Sequence, residues 1–225
     1  MCSFARLEWC PLFSWLKIFD TVGIPSDALF AVVIATSFAA GLNVYATVAT
    51  LGLLAHAGLV PLPPALHSLS SWFVIAYSIA LFLVEFFADK IPVFDLLWNA
   101  LHTFVRIPVA ALLAYAATAQ LSPGMQLLAT LLGGAIALAA HGGKIAVRAA
   151  VTPHPEPFSN IALSLGEDAL AVFLTWFATR HPYLAALIAL SFVVVIVILM
   201  RWVVHALRSM FRRAQEKIDI LLKGS

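Results

Sequence analysis

The side chains able to do chemistry in this 225-residue chain are few, and they fall in groups. Glu85 and Asp89 stand four apart. Asp95, Trp98, Asn99, His102 and Arg106 follow at spacings of three and four, as do His141, Lys144 and Arg148. A further group opens with Glu156, Ser159 and Asn160 and continues with Ser164, Glu167 and Asp168. On a helix, such spacing puts each group on one face. Arginine holds a carboxylate or phosphate with two parallel hydrogen bonds, and lysine supplies a point charge. Acids inside a bilayer relay protons or hold a cation. The groups therefore read as a polar cavity with two walls. His102, Arg106, His141, Lys144 and Arg148, together with Asn43, would bind an anionic group. Glu85, Asp89, Asp95, Glu167 and Asp168 would carry coupling protons or cations. The plainer reading is a set of salt bridges that lock helices together, with Lys90 and Arg148 snorkelling to the interface.

The setting of these groups is apolar. Hydrophobic residues make up 63% of the chain and charged ones 11%, against roughly 45–50% and 25% in soluble domains. Mean hydropathy is +1.00. This excludes an ordinary soluble domain and a disordered chain, and it predicts an all-α polytopic membrane protein. A formal net charge of +2 gives no case for nucleic-acid binding. Cys2 and Cys10 lack metal-ligand spacing and a disulfide framework. No cofactor motif is present: Gly133-Gly134 and Gly142-Gly143 lie within helical runs, and there is no Gly-x-Ser-x-Gly elbow. Metal binding through His102, His141, Glu85 and Glu167 stays open as a minor alternative, without His-x-x-x-His or Cys-x-x-Cys spacing.

Six apolar segments must position the polar groups. They run over residues 27–59, 70–88, 93–119, 124–151, 158–179 and 183–202, separated by prolines. The domain plan is an N-terminal interfacial segment (1–25), rich in aromatics, a transmembrane domain (26–202) and a basic amphipathic tail (203–225). The tail's arginines and lysines put the C-terminus in the cytoplasm, and six spans put the N-terminus there too. Anionic lipids are the natural partners of that tail. Between Ala28 and Met200 there are six acidic and five basic residues, a near balance that predicts pairing.

The first and fourth segments are long for a straight crossing of a hydrocarbon core of about 30 Å. Each carries a glycine followed by polar residues four apart: Gly41 with Asn43 and Thr47, and Gly142 with Lys144 and Arg148. Residues 87–92 also echo residues 177–182. These echoes predict glycine-broken helices in two inverted three-helix repeats, the plan of many secondary transporters.

The run Phe87-Ala88-Asp89-Lys90-Ile91-Pro92, then Asp95, Trp98, His102-Thr103 and Arg106, resembles a bacterial integral-membrane family catalogued as domain of unknown function 4126. So does His141-Gly142-Gly143-Lys144 with Arg148, followed by Glu156-Pro157, Asn160, Ser164 and Glu167-Asp168. The resemblance spans about Ala28 to Met200. It implies a small polytopic protein of the bacterial inner membrane in which these polar positions are characteristic, and it implies no activity.

Three functions remain on these grounds. The first is a small transporter or channel-like carrier with a mid-membrane site for an anionic substrate or lipid headgroup. The second is a membrane enzyme acting on lipid headgroups through Glu85, Asp89, Asp95 and His102, with a divalent metal. The third is a structural or assembly subunit, paired with itself or with a membrane partner, in which the charges are staples.

Overall fold

A computed structural model describes residues 26–151 and 157–223. The described residues form helices joined by short turns. They are α1 (Ser26–Leu42), α2 (Val44–His56), a 3-10 turn (Pro64–Ser70), α3 (Trp72–Ala88), α4 (Pro92–Ala117), α5 (Pro123–Val151), α6 (Pro157–Arg180) and α7 (Pro182–Lys223). The N-terminal segment 1–25, expected to be interfacial, lies outside the described residues.

The polarity of the bundle is inverted relative to a soluble protein. Phe73 and Phe104 are each 82% exposed, and many leucines and valines face outward. Glu85, Asp89, Arg106 and His141 are almost wholly buried. Such a surface is stable only against lipid. Lipid gives helices no hydrophobic reason to associate, so close packing through small residues does that work. Ala35, Ala39, Ala40, Ala137, Ala140, Ala171, Ala178, Ala185 and Ala189 are all fully buried. Gly41 lies so close to α5 that a Cβ there would sit 2.5 Å from the Ala137 carbonyl oxygen.

The first apolar segment breaks as its sequence predicts, and one residue makes the break. Asn43 is extended (φ −150°, ψ 104°), and its Oδ1 accepts from the Ala46 N–H at 2.9 Å. Asparagine is a favoured N-cap because its side chain replaces a lost backbone partner. The Asn43 N–H still donates to the Ala39 carbonyl, and its own carbonyl accepts from the Thr47 N–H and hydroxyl. The chain reverses there with its backbone groups satisfied, which a buried break requires.

The reversal is visible from what the two helices touch. Leu29, Val32 and Thr36 of α1 and Leu51 of α2 line one apolar cavity of about 250 Å³, beside Leu113, Ala117, Ala178 and Pro182. On a straight helix, Leu29 and Leu51 would stand about 33 Å apart. The Asp27 carboxylate accepts from the Tyr183 hydroxyl at the start of α7, while a Cβ on Gly52 would meet Leu69 and Ile75. Thus α1 and α2 enter and leave at one end of the bundle, with Asn43 at the buried tip of a re-entrant hairpin.

Two expectations are corrected. The spans number four by length and apolarity (97–117, 123–148, 161–180 and 182–202), or five when the 3-10 turn and α3, bent by 65°, cross as one. The sequence count of six took the hairpin for a crossing. Five crossings put Ser26 at the end opposite the tail of α7, whereas six put both on one side. The fourth segment is also unbroken: α5 runs through Gly142 and Gly143 for 29 residues. Its glycines serve packing, since a Cβ on Gly143 would meet the Ile196 side chain at 2.7 Å. No second hairpin mirrors the first in the corresponding segment.

In a background with Cys2→Ser and Cys10→Ser, single cysteines at Asp27 and Leu59 should react with a membrane-impermeant maleimide from the same face, and one at Lys90 from the opposite face. Opposite labelling of Asp27→Cys and Leu59→Cys would mean that the first segment crosses. Gly41→Val should lower thermal stability by roughly 1–3 kcal/mol, the usual cost of overpacking. Gly124→Ala, with nothing within 4 Å of the added carbon, should be nearly neutral in the same thermal-unfolding measurement.

Candidate functional site

The hairpin tip meets the polar groups of α3, α4, α5 and α6 at one level of the bundle. Each group sits on one helix face because of its three-and-four spacing, and that face turns inward. Lys144 of α5 is the hub. Its Nζ lies 3.5 Å from Glu85 Oε1, 3.0 Å from Asp89 Oδ2 and 3.4 Å from Glu167 Oε2. It also donates to the Leu42 carbonyl at 3.4 Å, at the C-terminal end of α1. One turn on, Arg148 contacts Asp89 Oδ2 at 2.9 Å and Glu167 Oε2 at 2.7 Å. Arg106 of α4 pairs with Glu85 Oε1. The Glu167 side chain is 12% exposed, while those of Glu85, Asp89, Arg106 and Lys144 are fully covered.

Two histidines frame Arg106. His141 Nδ1 lies 2.8 Å from Arg106 Nη1. Guanidinium only donates, so His141 Nδ1 is the acceptor, and the ring proton sits on Nε2. That proton points to Thr103 Oγ1 at 2.8 Å and the Asn99 carbonyl at 3.2 Å. Asn99 Oδ1 in turn accepts from Arg106 at 3.2 Å. His102 uses its ring the other way round. Its Nδ1 faces the Trp98 carbonyl at 2.8 Å and must donate, and its Nε2 lies 3.0 Å from the Tyr45 hydroxyl. Trp98 stacks on the His102 ring at 4.3 Å.

Asp168 stands apart from the ion pairs. Its Oδ1 accepts from Asn43 Nδ2 at 2.9 Å, which ties the hairpin tip to α6. Its Oδ2 is buried without a hydrogen-bond partner, as is the Ser164 hydroxyl one turn earlier. Lys90 lies nearby at the mouth of α3. Its ammonium donates to the Phe86 carbonyl at 2.9 Å and sits over the Phe86 ring. Desolvation holds it below the ordinary lysine range.

The structure therefore gathers Asn43, Glu85, Asp89, His102, Arg106, His141, Lys144, Arg148, Glu167 and Asp168 at one level. The side chain of Asp95 lies outside the described residues. The expected separate walls are instead interleaved: each cation touches a carboxylate directly, because an unpaired charge at this depth is costly. His141 joins the network as a neutral hydrogen-bonding group rather than as a cation, since its Nδ1 accepts from Arg106. Among the described residues, no group of three or more His, Cys, Asp or Glu side chains is arranged to hold a metal ion, so the set Glu85, Glu167, His102 and His141 is not assembled, while the set of Glu85, Asp89, Asp95 and His102 includes a side chain outside the described residues. Sequence reading missed Tyr45 and gave Thr103 no role beyond its place in the family motif. Tyr45 is invisible until the break at Asn43 turns α2 back toward α4. Thr103 sits one residue off the stripe it supports.

Lipid-facing helices around a buried charge network define a small helical membrane protein. The chain belongs to the family described as domain of unknown function (DUF4126), whose profile matches residues 30–202. No curated protein and no solved structure matches the chain.

Lys144→Ala should destabilise the fold by about 3–5 kcal/mol, the cost of leaving buried carboxylates without their cation. Lys90→Ala, at a partly exposed site, should cost about 1 kcal/mol or less in the same thermal-unfolding measurement.

Proposed function

We propose that the protein is a small carrier in a bacterial cytoplasmic membrane, which moves an anionic solute or lipid headgroup through the Lys144–Arg148 network together with protons. The observation that carries this reading is the helix break at Asn43. It brings the N-terminal end of α2 and the C-terminal end of α1 into a buried cluster of charge. Helix ends at such breaks favour anions on one side and cations on the other, and discontinuous helices beside buried charges are the usual architecture of carrier sites.

The chemistry follows from the pairing. Lys144 and Arg148 are held by Asp89 and Glu167, with Glu85 also on Lys144. Protonating a carboxylate releases its claim on the cation, and a phosphate or carboxylate group then takes its place. Arg148 offers the planar fork for two parallel hydrogen bonds. Glu167, the partly exposed member, marks the side from which exchange begins. The end of the bundle bearing Lys90 and the tail of α7 is assigned to the cytoplasm by its basic residues. There Arg201, His205 and Arg208 line a shallow exposed site suited to anionic lipid. A second reading has its own support: the completeness of the pairing fits a structural or assembly subunit whose charges are staples. Among the described residues, no group of metal-binding side chains supports the enzyme reading.

A thermal-unfolding screen of the purified chain against inorganic phosphate and short carboxylates separates the two. A ligand at about 100 times its dissociation constant adds roughly 2.7 kcal/mol. Glu167→Gln, which removes one of the carboxylates that hold Arg148, should bind phosphate more tightly than the parent, and Arg148→Gln should abolish the shift. Proteoliposomes should take up the same anion faster with an inward proton gradient. No shift in the parent or in Glu167→Gln would leave the staple reading.

A further inference from the structure

Among the described residues, the network holds three cations, Arg106, Lys144 and Arg148, and each is in ion contact with Glu85, Asp89 or Glu167. Those three carboxylates balance the three cations. Asp168 is a fourth carboxyl at the same level and only 5% exposed. Its one bonded oxygen meets a neutral amide, Asn43 Nδ2. The hydrogen-bonding and charged groups that act with it are Asn43 from the hairpin tip, Lys144 from α5, Glu85 and Asp89 from α3, and Lys90 beyond α3. Lys144 is already shared among the other three carboxylates, and Lys90 points at the Phe86 carbonyl and ring. An ionised Asp168 would thus add a surplus negative charge to a site where its oxygen Oδ2 has no donor.

One monovalent cation removes that surplus. Sodium would need a shell of several oxygens. What stands beside Asp168 on its own helix face is a single unpartnered hydroxyl, Ser164 Oγ, one turn away. A proton needs only one such acceptor. A protonated Asp168 also still accepts from Asn43 through Oδ1, so the hairpin tip stays tied to α6.

We propose that Asp168 is a proton-binding site, protonated on Oδ2 within the folded bundle; Ser164 Oγ, one turn away and not hydrogen-bonded to it in the structure, is the acceptor to which that proton would turn. The proposal deepens the coupling role given to the carboxylates above and rests on that reading for its purpose. Its readout needs no transport, however, so carriage can fail while the proton site stands.

The test is difference infrared spectroscopy of the purified full chain, titrated across pH in water and in heavy water. The parent should show a carboxylic-acid C=O band that shifts in heavy water and persists at a pH where exposed carboxylates are ionised. Asp168→Asn should fold with a melting temperature near the parent's and lose that band. Asp168→Glu should keep a band at a shifted position, and Ser164→Ala should shift it as the hydrogen bond is lost. Glu167→Gln should leave it in place. A band that survives in Asp168→Asn, or that vanishes in Glu167→Gln instead, would overturn the proposal. So would a band that disappears when potassium is replaced by sodium, because a metal cation would then be the occupant. Should Asp168→Asn fail to fold, the Asp168→Glu and Ser164→Ala shifts carry the same decision.

Discussion

A lysine ammonium fully buried in a lipid-facing bundle must have carboxylates around it, and the arrangement of the other helices follows from that need. Lys144 reaches three carboxylates on two helices and the last carbonyl of α1. Each partner must come from a different part of the chain, so α3, α5, α6 and the hairpin tip are fixed at one level. Arg106 and Arg148 extend the same rule to α4 and along α5. Apolar packing does not select this arrangement, because lipid satisfies an outward leucine as well as a neighbouring helix does. The electrostatic requirement selects the register, and small residues then let the backbones close.

The hairpin is the second device, and it depends on the first. A one-residue break in mid-membrane is tolerable only when its polar groups find partners. Asn43 caps α2 with Oδ1, anchors to Asp168 with Nδ2 and keeps both its backbone groups bonded. The Leu42 carbonyl, left over at the end of α1, falls to Lys144. The site and the fold thus use the same atoms.

Much of this was legible in the sequence. The three-and-four spacing of Asn99, His102 and Arg106, and of His141, Lys144 and Arg148, gave the buried faces correctly, because helical periodicity is local. Near-equal numbers of acids and bases gave the pairing. What failed was non-local. The segment 27–59 has the length and hydropathy of a long crossing helix, and nothing in its composition says whether a break at Asn43 bends it slightly or folds it back. That angle is set by α5, against which Gly41 packs, and by Asp168. The pattern Gly-x-polar at Gly142 was read as a second break by analogy with Gly41. Its glycines answer instead to the bulk of Ile196 on α7. The same signal serves two purposes, and only the neighbour distinguishes them.

The last helix runs unbroken from Pro182 to Lys223. At 1.5 Å per residue it is about 63 Å long, and roughly 30 Å of it lies beyond Trp202. Its membrane portion touches the hairpin directly: Phe192 stacks on Phe38 at 5.7 Å, and Ala189 packs in the same cluster as Phe38 and Ala39. Its short arm thus lies against the hairpin, and its long arm extends past the bundle. By geometry alone, a tilt of this helix about its contact with Phe38 would be magnified at the far end, on the opposite side of the membrane from the hairpin's mouth.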